Sequence, residues 1–204
     1  MNLALSDFDN TITHSDSFSH FLKYSLSYRK QLLGGLKVAP WLLGFRMGYV
    51  NDQQIRIRLC RAAFKNYPAI MLEQQGQQFS KTILPNLMNE HTLQQLLAHQ
   101  QKGDRVVVVS SSLDVYLSHW CQQQSIDLIC NQLEVQEGCY TGELQQGDCG
   151  YMEKAKRIQQ KYCLNDFDAV YAYGDSPNDN AMLALADYKF YQGKEINFLN
   201  ELSV

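Results

Sequence analysis

Residues 3–14 read LALSDFDNTITH: a short apolar run feeds straight into two carboxylates, Asp7 and Asp9, with one phenylalanine between them. Carboxylates at the end of a buried strand are costly to desolvate, so their placement asks for a reason. Two further runs have the same form, VVVV (106–109) before Ser110 and AVYAYG (169–174) before Asp175. Continuous apolar runs of this length, separated by helical patterns, read as buried parallel strands. Helices are predicted over 86–102, where Leu87, Leu93, Leu96 and Leu97 recur at helical spacing before Gly103, and over 113–124, 152–164 and 177–186. Residues 130–144 read as strands joined by a glycine-containing turn. The alternation is that of an α/β domain with a mostly parallel sheet. Open sheets of this kind bind ligands at the carboxyl ends of their strands, which brings Asp7, Asp9, Ser110 and Asp175 to one edge.

Residues 14–85 break the alternation. They read as helices interrupted at Gly34-Gly35, Pro40 and Pro68, a helical insert expected over the strand ends. The insert holds ten Lys or Arg and three acids, a net +7, whereas the rest of the chain holds eight bases and eighteen acids, a net −10. Such an asymmetry implies two modules, the basic one suited to an anionic ligand or surface. Its segment 32–50 is apolar but carries Lys37, Arg46, Pro40 and four glycines, which argues against a membrane-spanning helix. Peripheral contact with an anionic membrane stays open, beside packing within the insert or lining of a pocket for an apolar substrate.

The six cysteines include no CxxC pair and are too sparse for a disulfide scaffold, so a cytoplasmic protein with reduced thiols is expected. The N-terminus shows no basic region followed by a long apolar one, so no signal peptide is expected. Tyr and Phe are scattered as core residues rather than as a stacking surface, and no nucleic-acid partner is expected. The histidines show no metal-ligand spacing.

Clustered carboxylates repel one another unless a cation sits among them, and oxygen-only ligands suit Mg²⁺. Candidate ligands are Asp7, Asp175 and Asp179, with a contribution at Asp9 through its backbone carbonyl. Beside a metal, Asp7 could attack phosphorus, and Asp9 could protonate the leaving alkoxide and later activate water. Ser110, neighbouring backbone N–H groups and Lys154 could position and neutralise a phosphoryl group. A lone DxD also occurs in sugar-transfer enzymes, and receiver domains present acids at strand ends, but the latter need no insert of this size.

DFDNT (7–11), VVVVSSS (106–112), Lys154 in GYMEKAKRI and GDSPNDNAML (174–183) resemble, in order, the four motifs of the haloacid dehalogenase superfamily. The insert resembles the helical cap of its phosphoserine-phosphatase-like branch, subfamily IB. The resemblance implies a Rossmann-like three-layer α/β core (1–13 and 86–204) with an inserted helical cap (14–85). It implies Asp7 as nucleophile and Mg²⁺ ligand, Asp9 as general acid/base and Thr11 as loop support. It gives Ser110, with Ser111 beside it, and Lys154 to the phosphate, and Asp175 and Asp179 to the metal. A Mg²⁺-dependent phosphatase of a small phosphomonoester, working through an aspartyl-phosphate, is the implied activity. Hydrolysis of a lipid phosphomonoester such as phosphatidylglycerophosphate, phosphoryl transfer to another alcohol, and non-catalytic phosphoryl binding are the alternatives. Asp16 falls where phosphoserine phosphatases carry a substrate-facing acid, and Arg46 and Arg56 are further candidate substrate contacts. Two departures tell against a dedicated phosphoserine phosphatase: Ser-Ser-Ser at 110–112 in place of Ser-Gly-Gly, and GDSPND in place of GDGAND.

Overall fold

The computed structural model describes residues 1–197; residues 198–204, the end of the expected core segment, lie outside the described residues. Six strands form the main sheet in the order β4 (Asp127–Asn131), β3 (Arg105–Leu113), β1 (Leu3–Ser6), β7 (Val170–Gly174), β8 (Tyr188–Tyr191) and β9 (Lys194–Ile196). All neighbours are parallel except β8 and β9. β1 is buried along its whole length because it lies between two parallel neighbours with a core on each face. The period of two divides its residues and those of β3. Ala4, Val106 and Val108 join one core with Leu96, Leu117 and Trp120, and Leu3, Leu5, Val107 and Val109 join the other with Ile158, Met182 and Leu183. Helices α5 (Glu90–Gln101) and α6 (Asp114–Gln123) therefore cover one face, and α7 (Met152–Lys161) and α8 (Asn180–Leu183) the other. Each such aliphatic side chain contributes about 1.5–3 kcal/mol on burial. The mostly parallel sheet expected from the three apolar runs and the three-layer core implied by the resemblance are the ones observed.

Element ends differ locally from the sequence reading. The helix expected from residue 86 starts at Glu90, after a 3₁₀ turn over Leu84–Leu87, and the one expected over 177–186 is a 3₁₀ turn followed by α8. β3 does not stop at Val109 but carries the three serines onward to Leu113, with a register shift against β4 over that stretch.

The helical segment comprises α1 (Ser17–Ser25), α2 (Tyr28–Arg46), α3 (Asp52–Phe64) and α4 (Ala69–Thr82), with the two-residue β2 (Tyr67–Pro68) ahead of α4. The expected break at Pro68 is present. Those at Gly34-Gly35 and Pro40 are not: α2 runs through all three residues. The Leu36 carbonyl that Pro40 cannot serve lies in an exposed turn, where water can take the missing donor's place. β6 (Cys139–Leu144) pairs with β2 on one side and with β5 (Leu133–Gln136) on the other, apart from the main sheet, so residues 133–144 lie with the helices. Among the described residues no helix is long and apolar enough to cross a membrane.

The helical segment meets the core through aromatic packing. Phe21 of α1 stands 4.8 Å from Tyr116 of α6 and 5.3 Å from Phe79 of α4, ring centre to ring centre. α4 and α6 approach so closely that a Cβ on Gly76 would come within 1.9 Å of the Val115 carbonyl oxygen. Gly34, in contrast, has no neighbouring atom within 4 Å of such a Cβ. Gly76→Ala is expected to lower stability by about 1–3 kcal/mol through forced backbone separation. Gly34→Ala should raise it by up to about 1 kcal/mol through helix propensity alone. Urea unfolding of the two variants against the parent checks both signs.

Candidate active site

The chain leaves β1 with the Asp7 N–H donating to the Tyr173 carbonyl at 2.9 Å, one more rung of the parallel ladder. Phe8, fully buried, packs edge-on against Trp120 at 5.2 Å, so the acids on either side are directed out of the core. The N–H groups of Thr11, Ile12 and Thr13 all donate to the Phe8 carbonyl, and Asn10 takes φ 58° to close the turn. The Thr13 hydroxyl ties the loop by accepting from the Asn10 N–H and donating to Ser15 O at 2.7 Å, whereas the buried Thr11 hydroxyl has no protein partner. Asp9 accepts from the Ser17 N–H at 2.6 Å, at the start of α1, and from the Ser112 hydroxyl. A carboxylate at a helix N-terminus is favourably placed.

Lys154, in the first turn of α7 and 1% exposed, joins three parts of the chain: its Nζ donates at 2.5 Å to both Asp7 Oδ1 and Asp179 Oδ1. The other Asp179 oxygen accepts from the N–H groups of Asp175 (3.1 Å) and Ser176 (3.2 Å), which shapes the loop after β7. Gly174 makes this possible, since a Cβ there would stand 2.6 Å from the Asp179 Cβ.

Ser110 and Ser111 line the same cleft. The Ser110 hydroxyl accepts from the Ser112 N–H, and the Ser111 hydroxyl donates to Cys149 O. Asn131, at the end of β4 and fully buried, donates to Ser111 O and Asp148 Oδ1 and accepts from the Cys149 N–H. It was not foreseen, although LICN (128–131) is one more apolar run ending in a polar residue.

From the helical segment come Asp16, Asp52 and Arg56. Asp16 is the N-cap of α1 and accepts from the Phe18 N–H. Asp52, first residue of α3, accepts from the Tyr151 hydroxyl (2.7 Å) and the Asn178 amide (3.3 Å). Arg56 lies one turn on, its Nε 3.2 Å from Asp148 Oδ1, close enough for an ion pair but not aligned as a hydrogen bond. Arg46 does not reach the cleft. Because α2 does not break, its last turn ends on the exposed surface. Asp52, Asn178, Asp148 and Ser112 take part in the site without having been singled out from the sequence.

The cleft encloses about 280 Å³ and sets six carboxylates (Asp7, Asp9, Asp16, Asp52, Asp175, Asp179) against two cations, Arg56 and Lys154. Burial first, then repulsion from Asp179, holds the Asp7 carboxyl well above its ordinary range despite Lys154. Burial and then Asp16 raise Asp9, against the hydrogen bonds from Ser112 and Ser17. Burial and Asp179 push Asp175 up to about 6. Burial also opposes the Lys154 charge, but Asp7 and Asp179 outweigh it and keep the ammonium protonated. Asp7, Asp175 and Asp179 each offer an oxygen within 4.8 Å of the others. An all-oxygen set carrying excess negative charge fits a hard divalent cation such as Mg²⁺. The Asp9 side chain is not in that set; it is turned to Ser17 and Ser112.

The chain belongs to the haloacid dehalogenase-like hydrolases, whose family model matches residues 4–184. It is 27% identical to the protein CicA of Caulobacter vibrioides over 94% of this chain and 87% of that one. It is also 27% identical to a histidinol-phosphatase of Neisseria meningitidis, over 90% and 86% of the two chains. A phosphoserine phosphatase solved as a phospho-aspartyl intermediate analogue superposes with a TM-score of 0.65 at 18% identity, covering 98% of this chain and 96% of that one.

The raised Asp175 carboxyl has a consequence for stability. The folded chain holds a proton there that the unfolded chain has released, so without divalent cation this group's contribution falls as pH rises from about 4 to about 6. A divalent cation taken up by the deprotonated carboxylates would cancel that fall. Thermal unfolding between pH 4 and pH 7, with Mg²⁺ or with chelator, should diverge increasingly toward neutral pH, and Asp175→Asn should remove most of the divergence.

Proposed function

We propose that the protein is a Mg²⁺-dependent phosphomonoesterase that works through an aspartyl-phosphate on Asp7. The observation that carries this reading is that Asp7 and Asp9, one residue apart, share a single cleft yet are held by different partners. Lys154 takes one Asp7 oxygen, which leaves the other for attack on phosphorus. Asp9, with its carboxyl raised by burial and by Asp16, holds a proton closer to neutral pH than an exposed aspartate does.

In the first step an Asp7 oxygen bonds to phosphorus, the bond from phosphorus to the leaving oxygen breaks, and Asp9 delivers its proton to that oxygen. In the second, Asp9 takes a proton from water, the water oxygen bonds to phosphorus, and inorganic phosphate departs with Asp7 regenerated. Ser110, the adjacent backbone N–H groups and Lys154 hold the phosphoryl oxygens throughout. Mg²⁺, held by Asp7 and Asp175 with Asp179 in support, supplies charge neutralisation when bound.

Residues 14–85 act in this reading as a cap that closes one wall of the cleft through Asp16, Asp52 and Arg56. The small, polar cleft favours a small phosphorylated metabolite, and its excess of carboxylates favours a leaving group that is neutral or cationic. The histidinol-phosphatase relative supports that class.

Asp7→Asn should bring hydrolysis of any phosphomonoester below detection while the melting curve stays cooperative; retained turnover would remove Asp7 as the nucleophile. Asp9→Asn should slow alkyl phosphates by about 10²–10⁴-fold, the range for a positioned acid. The comparison is made on kcat/KM, which reads the first step and not the water attack common to all substrates: p-nitrophenyl phosphate, whose leaving group needs no proton, should be slowed much less. Equal losses of kcat/KM on both substrates would contradict Asp9 as the acid. Chelation should silence turnover and Mg²⁺ restore it.

A further inference from the structure

α2 is the least buried α-helix among the described residues. Of its residues only Val38 is buried. Leu32, Leu36 and Leu43, spaced by four and seven, lie together on the face opposite Val38, and Met47 continues the stripe. Leu36 is 65% exposed and Leu43 61%, and Leu33 is exposed beside them. A helix of a water-soluble domain normally turns such a stripe inward; here it is turned outward.

Charge tells what would cover it. Residues 17–51 hold five Lys or Arg (Lys23, Arg29, Lys30, Lys37, Arg46) and no acid. α2 alone carries four of them, all exposed. An apolar stripe edged only by cations complements a surface with an apolar interior and anionic head groups. It is a poor match for itself, since two α2 faces in contact would oppose their cations with no acid to pair them. Beneath the helix, Gly34 and Gly35 overlook a groove of about 280 Å³ floored by Leu22, Leu26 and Leu59, so this stretch is not sealed against the rest of the protein.

We propose that α2 lies in the head-group region of an anionic phospholipid bilayer, with Leu32, Leu36, Leu43 and Met47 inserted and Lys30, Lys37 and Arg46 on the lipid phosphates. The helix lies on the membrane and does not span it. Its last turn leads through residues 47–51 to Asp52, so lipid-bound α2 and the cleft wall are at most about 20 Å apart along the chain. This inference does not rest on the proposed chemistry at Asp7.

The test is sedimentation of the full chain with vesicles of phosphatidylcholine alone or mixed with phosphatidylglycerol. Retention is expected only with the anionic vesicles and should fall with added salt. Leu36→Glu with Leu43→Glu, or Lys37→Glu with Arg46→Glu, should each lower retention by about tenfold or more. The chain has two tryptophans; Trp120 is buried in the core, and Trp41 is stacked on Arg58 on the side of α2 away from the stripe. Leu36→Trp puts a reporter in the stripe, and a blue shift of its emission on adding anionic vesicles supplies the decisive reading where a glutamate variant fails to fold. Equal retention by neutral and anionic vesicles, or an unshifted emission, would overturn the proposal. So would a salt-resistant dimer in light scattering that the leucine variant dissolves.

Discussion

One buried ammonium organises this protein. Among the described residues Lys154 is the only cation in direct contact with Asp7 and Asp179, and with Asp175 beside them the group keeps a surplus of negative charge. A buried ion pair contributes little net stability once desolvation is subtracted, but leaving one partner alone is costly, by about 3–5 kcal/mol. That penalty ties the end of β1, the first turn of α7 and the loop after β7 to one geometry. In the function proposed above, a divalent cation completes the neutralisation that Lys154 leaves unfinished, which would give the carboxylates at the end of β1 their reason.

The scaffold delivers this arrangement by simple means. β1 runs between β3 and β7, so the ends of β1 and β7, which lead into Asp7 and Asp175, lie beside the stretch of β3 that carries Ser110. Phe8 anchors the loop in the core, and the absence of a side chain at Gly174 lets Asp179 fold back over its own strand. Asn131 does for β4 what the aspartates do for β1 and β7, with its amide used to join β3 to the segment ahead of α7.

The three buried strands were legible because strands covered on both faces are written as unbroken apolar runs, and a polar residue at the end of such a run stands out against them. The ordered motifs carried Lys154, which no local pattern would have linked to Asp7, 147 positions away. Asp52, Arg56 and Asp148 were poorly legible for the opposite reason. Asp52 reads locally as a helix-start acid and Arg56 as one base among ten, and their meaning arises only when α3 meets Asp148 and Tyr151. The breaks expected in α2 rested on glycine and proline as helix interrupters, a rule that loses force where the helix is exposed and water can complete its backbone.

The helical segment is held to the core by two kinds of contact, and they fall on different sides of the cleft. On one side Phe21, Phe79 and Tyr116 interlock in an apolar cluster that water cannot enter without exposing it. On the other, α3 meets the core through Asp52 with Tyr151 and Asn178, Gln53 with Gly150, and Arg56 with Asp148. The contacts of Asp52 and Gln53 can be exchanged for water at modest cost, whereas Arg56 and Asp148 are nearly buried and costly to separate. The α3 side of the segment is thus seated on polar contacts of which the Arg56–Asp148 pair is the most buried, while the aromatic side, tied to Asp9 through Ser17 and Tyr116, fixes the segment's position at the cleft.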